Sequence, residues 1–336
     1  MRIVRTDANL EMPLTDAALR EAGHELILLP DGVEEDALCE AVAGAELILM
    51  CYQPITARVI AAAPGLRGIV KYGVGIDAID IPAAMERGIP VVNIPEYGEN
   101  TVAEGAFALM IALAKRLTEL DRAMQQEGWA WPEARWLGRD IAGSTVGIVG
   151  LGKIGSAMAR MAGAGFGARV LGYSPHTPPE RFEAAGVTRC DDLQAMLGQC
   201  DFVSVHAVLN AETKGLIGEA ELRAMKPSAC LINVARGAIV DEQALIRALD
   251  EGWIAGAGLD VYSAEPLALE GHKLSPLFGR DNVILSPHLT FYTHEAMARL
   301  EAETLARCQE VIEGRDVLIL SHDPRLRAQR RGVRFG

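Results

Sequence analysis

The chain lacks several features that mark particular classes of protein. Its six cysteines are scattered without a CxxC spacing, and several lie in apolar runs that resemble buried strands, so we expect reduced thiols. No apolar run reaches membrane-spanning length, and the opening residues, MRIVRTD, have no basic region followed by an apolar stretch and a cleavage site. We therefore expect a cytoplasmic protein with no membrane partner.

An excess of positive charge is also missing. The net charge is -13 and the isoelectric point about 5.1, so most of the surface repels a polyanion, and we expect no nucleic-acid partner. The exception is the segment 325–335, which carries five Arg. A nucleic-acid arm is one interpretation of this segment, but the sequence favours a loosely ordered tail or a strap against the chain's own acidic surface.

What is present is enough apolar sequence for about two domains, because 50% of the 336 residues are hydrophobic. Short strand-like runs alternate with helical or turn segments in the first hundred residues, which predicts a small α/β unit. A helix is predicted over 101–124, with Thr101 as its cap and Glu104 completing a capping box. The predicted strands of the unit are 3–4, 26–29, 47–50, 69–70 and 91–93.

A glycine-rich turn stands in the middle of the chain. Residues 144–155 read STVGIVGLGKIG, an apolar strand that runs into Gly150-x-Gly152-x-x-Gly155. Such a turn brings backbone close to a pyrophosphate, which then lies at the N-terminus of the next helix. The pattern is weak alone, but the later strands complete a dinucleotide-binding sheet of six parallel strands, the other five being predicted at 169–173, 202–206, 230–235, 256–261 and 283–286.

The chain resembles the D-isomer-specific 2-hydroxyacid dehydrogenase family, in particular its D-lactate dehydrogenase and glyoxylate-hydroxypyruvate reductase members. The resemblance covers nearly the whole chain and implies an NAD(P)-dependent oxidoreductase that interconverts a small 2-keto acid and the (R)-2-hydroxy acid. It is carried by KYGVGIDAID (71–80), NTVAEGAFALMIAL (100–113), GLGKIG (150–155), NVARGAIVDEQAL (233–245), GLDVYSAEP (258–266) and SPHLTFYT (286–293).

The same resemblance implies an α/β fold of two doubly wound parallel-sheet domains with a cleft between them. A flavodoxin-like substrate-binding domain is expected over 1–101 and 292–336, because a helix at 295–313 and a strand at 317–320 return to the first unit. A Rossmann domain that binds NAD(P) is expected over 102–291.

Three residues match the family's catalytic positions. Arg236 is expected to grip the substrate carboxylate and polarise the neighbouring carbonyl, and His288 to give or take the proton. Glu265 is expected beside His288, where a carboxylate favours the protonated imidazole. Formate dehydrogenases of the superfamily carry Gln at that position, so Glu265 argues against formate.

The substrate pocket is expected to begin at Tyr72-Gly73-Val74-Gly75, whose consecutive amides suit an anion. An ordinary glycine turn is the alternative. Phosphite dehydrogenases place a Lys in this loop, so Val74 argues against phosphite. The aromatic residues Tyr97, Phe291 and Tyr292, with Tyr52 as a further candidate, resemble those that enclose a small substrate in D-lactate dehydrogenases.

The cofactor is expected to be NAD or NADP. Ser174 occupies the position where the family carries an acid for the ribose hydroxyls, and its lack of charge removes the main barrier to a 2'-phosphate. His176 and Arg181 are candidates to contact that phosphate. The family's usual His-Thr-Pro is replaced by His206-Ala207-Val208, and we expect the missing proline to loosen that loop. The remaining residues implied for the cofactor are Lys153, Ile154, His206, Ala207, Val208, Thr213, Val234, Ala235 and Asp260.

Three of the four Trp, at 129, 131 and 136, fall within 128–140. Clustered Trp is typical of an interface, so we expect a homodimer formed by the Rossmann domain and this arm, with a small core under a long loop as the alternative. No metal is implied. Two rival functions stay open: a phosphoglycerate or other biosynthetic dehydrogenase, and a nucleotide-sensing binding protein of the corepressor kind.

Overall fold

The chain divides into two compact units in its structure, a computed structural model that describes residues 1–336. The first unit comprises 1–98 and 293–336, and the second comprises 99–292. None of the helices combines the length and the apolar character that crossing a lipid bilayer requires.

The first unit is built on a five-stranded parallel sheet with the order β2-β1-β3-β4-β5, the flavodoxin-like order. The inner strand β3 reads LILM and is buried throughout, as expected of a strand covered on both faces. The strands are β1 (Arg2–Arg5), β2 (Glu25–Leu28), β3 (Leu47–Met50), β4 (Gly68–Lys71) and β5 (Val91–Asn93). Its helices are α1 (Pro13–Glu21), α2 (Glu35–Val42), α3 (Ala57–Ala62) and α4 (Ile81–Glu86), to which the C-terminal segment adds α12 (His294–Ile312) and α13 (Pro324–Arg327).

The Arg-rich end of the chain is an ordered part of the first unit. Its strand β14 (Val333–Phe335) pairs in parallel with β13 (Val317–Ile319). The buried amide of Gln329 exchanges two hydrogen bonds of 2.8 Å with the backbone of Val91, and Arg334 donates to Glu310 at 2.6 Å. The segment is therefore a strap against acidic groups of its own chain, and not a loose tail.

The second unit contains a seven-stranded parallel sheet with the order β12-β11-β10-β9-β6-β7-β8, the Rossmann order extended by one strand. The prediction of six strands missed β8, which is only two residues long, polar, and at the sheet edge. The strands are β6 (Thr145–Val149), β7 (Arg169–Tyr173), β8 (Thr188–Arg189), β9 (Phe202–Val205), β10 (Cys230–Asn233), β11 (Gly256–Leu259) and β12 (Val283–Leu285).

Helices cover both faces of this sheet. Successive strand residues point to opposite faces, so Ile148 and Val149 of β6 belong to different apolar clusters. Each cluster is closed by its own set of helices, as a doubly wound sheet requires. The helices of the unit are α5 (Glu99–Ala114), α6 (Leu117–Glu127), α7 (Lys153–Arg160), α8 (Pro179–Ala185), α9 (Leu193–Leu197), α10 (Glu219–Ala224) and α11 (Glu242–Asp250).

The single helix predicted over 101–124 is wrong in two respects. Helix α5 begins at Glu99, so Thr101 lies inside it and does not cap it. The helical path also breaks at Arg116, whose φ of 50° is left-handed. The amide of Arg139 donates to the carbonyl of Ala114 at 2.7 Å. A later segment of the chain therefore supplies the hydrogen bond that a continuous helix would have given to this carbonyl at the end of α5. Sequence periodicity cannot reveal that long-range contact.

Candidate active site

The predicted catalytic residues follow three neighbouring strands of the second unit. Arg236 comes after β10, Glu265 lies in the segment after β11, and His288 comes after β12. Strands β10, β11 and β12 are adjacent and parallel, so their carboxyl ends meet at one edge of the sheet. This edge is where ligands bind in open α/β sheets.

His288 and Glu265 form a hydrogen-bonded pair, with 2.9 Å between Nδ1 of the imidazole and Oε2 of the carboxylate. The other carboxylate oxygen of Glu265 accepts the amide of Tyr262 at 2.9 Å, which fixes its orientation. Burial acts to raise the pKa of Glu265, but the hydrogen bond and charge of His288, the Tyr262 amide and the charge of Arg236 outweigh it and hold that pKa below its usual value. The carboxylate is therefore ionised beside the imidazole at neutral pH.

A strained backbone position presents the imidazole. His288 has a φ of 59°, which is uncommon for a residue with a side chain and persists only where the surroundings enforce it. The fully buried carboxylate of Asp260 supplies that constraint, because it accepts hydrogen bonds from the amides of Leu289 and Thr290 and from the Thr290 hydroxyl. Asp260 was predicted to face the nicotinamide. The structure shows its carboxylate holding the His288 loop.

Arg236 is held by its own turn. The side-chain amide of Asn233 donates to the Arg236 carbonyl at 2.9 Å and accepts the amide of Ala235 at 3.1 Å. The Arg236 guanidinium donates to the Ala235 carbonyl at 2.7 Å. No role was predicted for Asn233 from the sequence. It could have been noticed as the last residue of a buried strand, directly before the turn that carries Arg236.

The glycine-rich turn between β6 and α7 fits a dinucleotide. Gly150 has a φ of +93°, and a Cβ on Gly155 would lie 2.1 Å from the Gly150 carbonyl oxygen, so no larger residue fits there. No atom lies within 4 Å of the position a Cβ on Gly152 would occupy, which leaves this backbone open to a ligand. Lys153 and Ile154 open helix α7, whose N-terminus suits a pyrophosphate.

The loop after β9 is ordered by hydrogen bonds although it lacks the usual proline. Thr213 donates to the carbonyl of Val208 at 2.6 Å, and the Asn210 side chain accepts the amide of Thr213 at 3.0 Å. The His206 ring nitrogen Nε2 lies 2.8 Å from the Ser204 hydroxyl, and desolvation lowers the pKa of His206 to about 3, so this ring is neutral. Ala207 belongs to this loop, and Val234 and Ala235 follow the adjacent strand β10.

At the end of β7, Ser174 lies 2.8 Å from the Thr177 hydroxyl, and Nε2 of His176 lies 2.8 Å from a carboxylate oxygen of Glu212. Sequence reasoning missed Glu212, because it comes from the loop after β9. Arg181 does not join this group. It lines a cavity of about 340 Å³ with residues of the glycine turn and of α7, namely Gly152, Lys153, Ser156 and Arg160.

Two of the backbone amides in the predicted anion loop of the first unit are already hydrogen-bonded within the chain. The Tyr72 side chain is buried, and its hydroxyl donates a hydrogen bond to the Thr6 carbonyl. The backbone amide of Tyr72 donates to the Met50 carbonyl, and the backbone amide of Gly73 donates to the Lys71 carbonyl. The role of Tyr72, Gly73, Val74 and Gly75 in binding substrate stays a prediction. Val74 is the exposed residue of the loop, at 42%.

Two polar residues beside the anion loop were not predicted from the sequence. The Asn93 amide donates to the carbonyl of Val74 at 2.6 Å. The buried Lys71 ammonium donates to the Cys51 carbonyl at 2.5 Å and lies 5.4 Å from the centre of the Tyr52 ring. Both residues end strands, β5 and β4 respectively, which is the position that identifies them.

The predicted pocket aromatics fall into two groups. In the second unit the Phe291 ring stands nearly perpendicular to the His288 ring at 6.5 Å and to the Tyr292 ring at 6.0 Å. In the first unit Tyr97 is buried and its carbonyl accepts from Arg299 at 2.7 Å, whereas Tyr52 is exposed. Phe291 and Tyr292 therefore lie beside His288, and their expected role in enclosing a substrate stays a prediction.

The Trp-rich arm exposes two of its three rings. Trp129 is 59% and Trp131 71% exposed, with their ring centres 6.1 Å apart. Trp136 is half-buried, and the Arg135 guanidinium lies 4.4 Å from its ring centre. The arm therefore does not form a small core under a long loop, because the rings of Trp129 and Trp131 face solvent.

Comparison with known proteins supplies the family. The family described as "D-isomer specific 2-hydroxyacid dehydrogenase, NAD binding domain" matches residues 107–290. The chain belongs to this family. A glyoxylate reductase of Korarchaeum cryptofilum is 45% identical to this dehydrogenase over 262 residues, which cover 77% of each chain.

Solved structures agree with that assignment. A D-lactate dehydrogenase of Aquifex aeolicus, complexed with NAD and lactic acid, is 29% identical with a TM-score of 0.82, and the match covers 93% of this chain and 96% of that one. An acyclic imino acid reductase complexed with NADPH and D-Arg is 26% identical with a TM-score of 0.81, covering 93% and 97%. The predicted family, fold class and enzyme class are confirmed: the protein is an NAD(P)-dependent 2-hydroxyacid dehydrogenase that reduces 2-keto acids.

The hydrogen bonds of Asp260 generate a prediction. Asp260→Asn replaces one acceptor oxygen by an amide that faces N-H donors, so we expect the free energy of unfolding to fall by about 1–3 kcal/mol. Chemical denaturation measures the change, with the exposed Asp281→Asn of the same unit as control. Equal stability of the two variants would show that Asp260 does not constrain the His288 loop.

Proposed function

We propose that the dehydrogenase reduces a small 2-keto acid of glyoxylate or hydroxypyruvate size to the (R)-2-hydroxy acid. The observation that carries the proposal is the His288–Glu265 pair at the same sheet edge as Arg236. The second unit binds the dinucleotide and the first unit contributes substrate contacts. The small substrate is supported by the glyoxylate reductase to which the chain is similar.

The dinucleotide, when held at the turn of Gly150, Gly152 and Gly155, supplies the hydride for reduction. The N-terminus of α7 and Lys153 would hold its pyrophosphate, and the residues of the β9 loop and of the β10 end would line the rest of its site. Asp260 acts on the reaction by fixing the backbone of the residues that follow His288.

Arg236 binds the substrate carboxylate and polarises the carbonyl beside it. A guanidinium presents two parallel N-H groups to a carboxylate, and its charge stabilises negative charge that develops on the carbonyl oxygen. The amides of Val74 and Gly75 in the first unit are proposed to contribute to substrate binding. Tyr97 and Tyr292 are proposed to limit the size of the substrate side chain.

His288 supplies the proton. Its Nδ1 is tied to Glu265, so Nε2, on the opposite side of the ring, is the nitrogen that exchanges a proton with the substrate oxygen. Reduction consumes one hydride and one proton, and the imidazolium becomes neutral. Glu265 stabilises the imidazolium before transfer, and the neutral ring is the base in the reverse direction.

Kinetics of two variants test these roles. Arg236→Ala is expected to raise KM and lower kcat, with a loss in kcat/KM of about 10²-fold or more, because it removes both binding and polarisation. His288→Ala is expected to lower mainly kcat, by about 10²-fold or more. The exposed Arg247→Ala serves as the control for lost charge. Near-normal kinetics of Arg236→Ala on every 2-keto acid tried would reject the role of Arg236, and nucleotide binding without turnover in the unmodified protein would favour the sensing alternative.

The pH profile tests Glu265. Glu265→Gln replaces the titrating carboxylate by a neutral amide, so the low-pH limb of the kcat/KM profile, where Glu265 becomes protonated, is expected to disappear. In the unmodified protein the pKa of Glu265 is lowered, so the pair's stabilisation is present above the ordinary carboxyl range and is lost as the pH falls through the lowered value. The exposed Glu270→Gln, measured alongside, should leave the kcat/KM profile in place; identical profiles for the two variants would rule out the proposed coupling.

Both reduced nicotinamides are proposed as cofactors, with NADPH accepted at least comparably with NADH because Ser174 carries no charge. Glu212 acts against NADPH, since its carboxylate engages the His176 ring that would meet a 2'-phosphate. Glu212→Gln is therefore expected to raise the ratio of kcat/KM for NADPH over NADH by about tenfold, or ~1.4 kcal/mol. The exposed Glu183→Gln is the control. A hundredfold preference of the unmodified protein for NADH would overturn the proposal.

A homodimer is proposed through the second unit, with the exposed Trp129 and Trp131 as contacts. Two large exposed aromatic rings side by side are typical of an interface between chains.

A further inference from the structure

The cavity of about 340 Å³ beside the glycine turn lies within the second unit, where the start of α5, the turn itself, helix α7 and helix α8 meet. Gly152 and Lys153 line it from the turn, and Ser156 and Arg160 line it from further along α7. Arg181 lines it from α8. Its volume falls in the range of about 300–1,000 Å³ that is usual for small-molecule pockets.

The lining of this cavity carries more positive than negative charge. It includes three cations, Lys153, Arg160 and Arg181, but only one anion, Glu99. The Lys153 ammonium lies 3.6 Å from a Glu99 carboxylate oxygen, so these two charges offset each other. The two arginines remain as an excess of positive charge in a chain whose net charge is -13.

Neither of these arginine side chains has a partner elsewhere in the chain. The guanidinium groups of Arg160 and Arg181 make no hydrogen bond and no ion pair, and both residues are exposed. A guanidinium is a hydrogen-bond donor only, and it is charged at every pH at which the protein is folded. Two such groups lining one cavity therefore suit an anion that offers several oxygens.

The geometry of α7 brings Arg160 towards the glycine turn. Ser156 and Arg160 are four residues apart, so they share one face of the helix. Side chains on a helix lean towards its N-terminus, which accounts for the place of Arg160 in the same lining as Gly152. Since no atom lies within 4 Å of the position that a Cβ on Gly152 would occupy, one ligand can meet both the turn and the arginine.

We propose that Arg160 and Arg181 bind the pyrophosphate of the dinucleotide from the side of α7 and α8, in addition to the amides of the glycine turn. This inference rests on the dinucleotide site of the proposed function. The lining favours the pyrophosphate over a 2'-phosphate, because it contains Gly152 of the turn but neither Ser174 nor His176 at the end of β7. The two charges make the affinity for the dinucleotide depend on ionic strength.

Binding of ADP-ribose to the full chain tests the two arginines, because this ligand carries the pyrophosphate but no nicotinamide and cannot react. By calorimetry at low salt, Arg160→Gln and Arg181→Gln are each expected to weaken binding about fivefold or more. The matched control Arg169→Gln changes an exposed residue at the start of β7, at the opposite edge of the sheet from the glycine turn, and should bind as the unmodified protein does.

Two outcomes of this experiment are distinct. Equal affinity of the unmodified protein and all three variants would overturn the role of the arginines and leave the dinucleotide site in place. Failure of the unmodified protein to bind ADP-ribose would overturn the dinucleotide site and the role of the arginines together.

The ligand 2'-AMP separates the two kinds of phosphate, since it carries a 2'-phosphate and no pyrophosphate. The affinity of Arg160→Gln and Arg181→Gln for 2'-AMP should fall less than their affinity for ADP-ribose. An equal or larger loss for 2'-AMP would overturn the assignment to the pyrophosphate.

Salt and a conservative variant test the role of charge. Arg160→Lys keeps the charge and should bind ADP-ribose more tightly than Arg160→Gln does. Raising the salt concentration should narrow the difference between the unmodified protein and Arg160→Gln, because salt screens exposed charges. A difference that does not change with salt, or equal binding by the Lys and Gln variants, would overturn the electrostatic role of Arg160.

Discussion

The proposed chemistry of this dehydrogenase depends on the hydrogen bond between His288 and Glu265. The pKa of Glu265 is held below its usual value, so an ionised carboxylate lies 2.9 Å from the His288 imidazole at neutral pH. The carboxylate in turn needs a fixed orientation, which the Tyr262 amide provides. In the proposed mechanism, loss of the carboxylate or of its hydrogen bond to Tyr262 would leave the imidazole without a negative charge at a fixed position.

Parallel strands make this arrangement possible at small cost in local structure. Each of the three predicted catalytic residues follows its own strand, so their convergence depends on the sheet and not on any short motif. At this sheet edge His288 has a strained φ, and the buried carboxylate of Asp260 holds the residues that follow it through hydrogen bonds. Rigidity here serves positioning, because transfer of a proton tolerates little displacement of donor and acceptor.

Much of the fold was predictable from the sequence, because parallel strands buried on both faces appear as short apolar runs. All of the predicted strands are present, whereas β8 has no apolar run to reveal it, and the end of α5 depends on a contact with Arg139. The candidate catalytic residues were predicted by resemblance. Glu212 and Asn93 escaped notice because each acts through a partner distant in the sequence, and the commitment of the Tyr72 amide to Met50 is likewise a tertiary fact.

The two hydrogen bonds between the Gln329 side chain and the Val91 backbone bear on the order in which the two units can fold during synthesis. Strand β5 is translated early, but its backbone groups at Val91 meet their side-chain partner only after residue 329 has left the ribosome. The second unit is continuous in the chain and has all its residues before then. Biosynthesis therefore imposes an order of maturation, in which the nucleotide-binding half precedes completion of the half that begins the polypeptide.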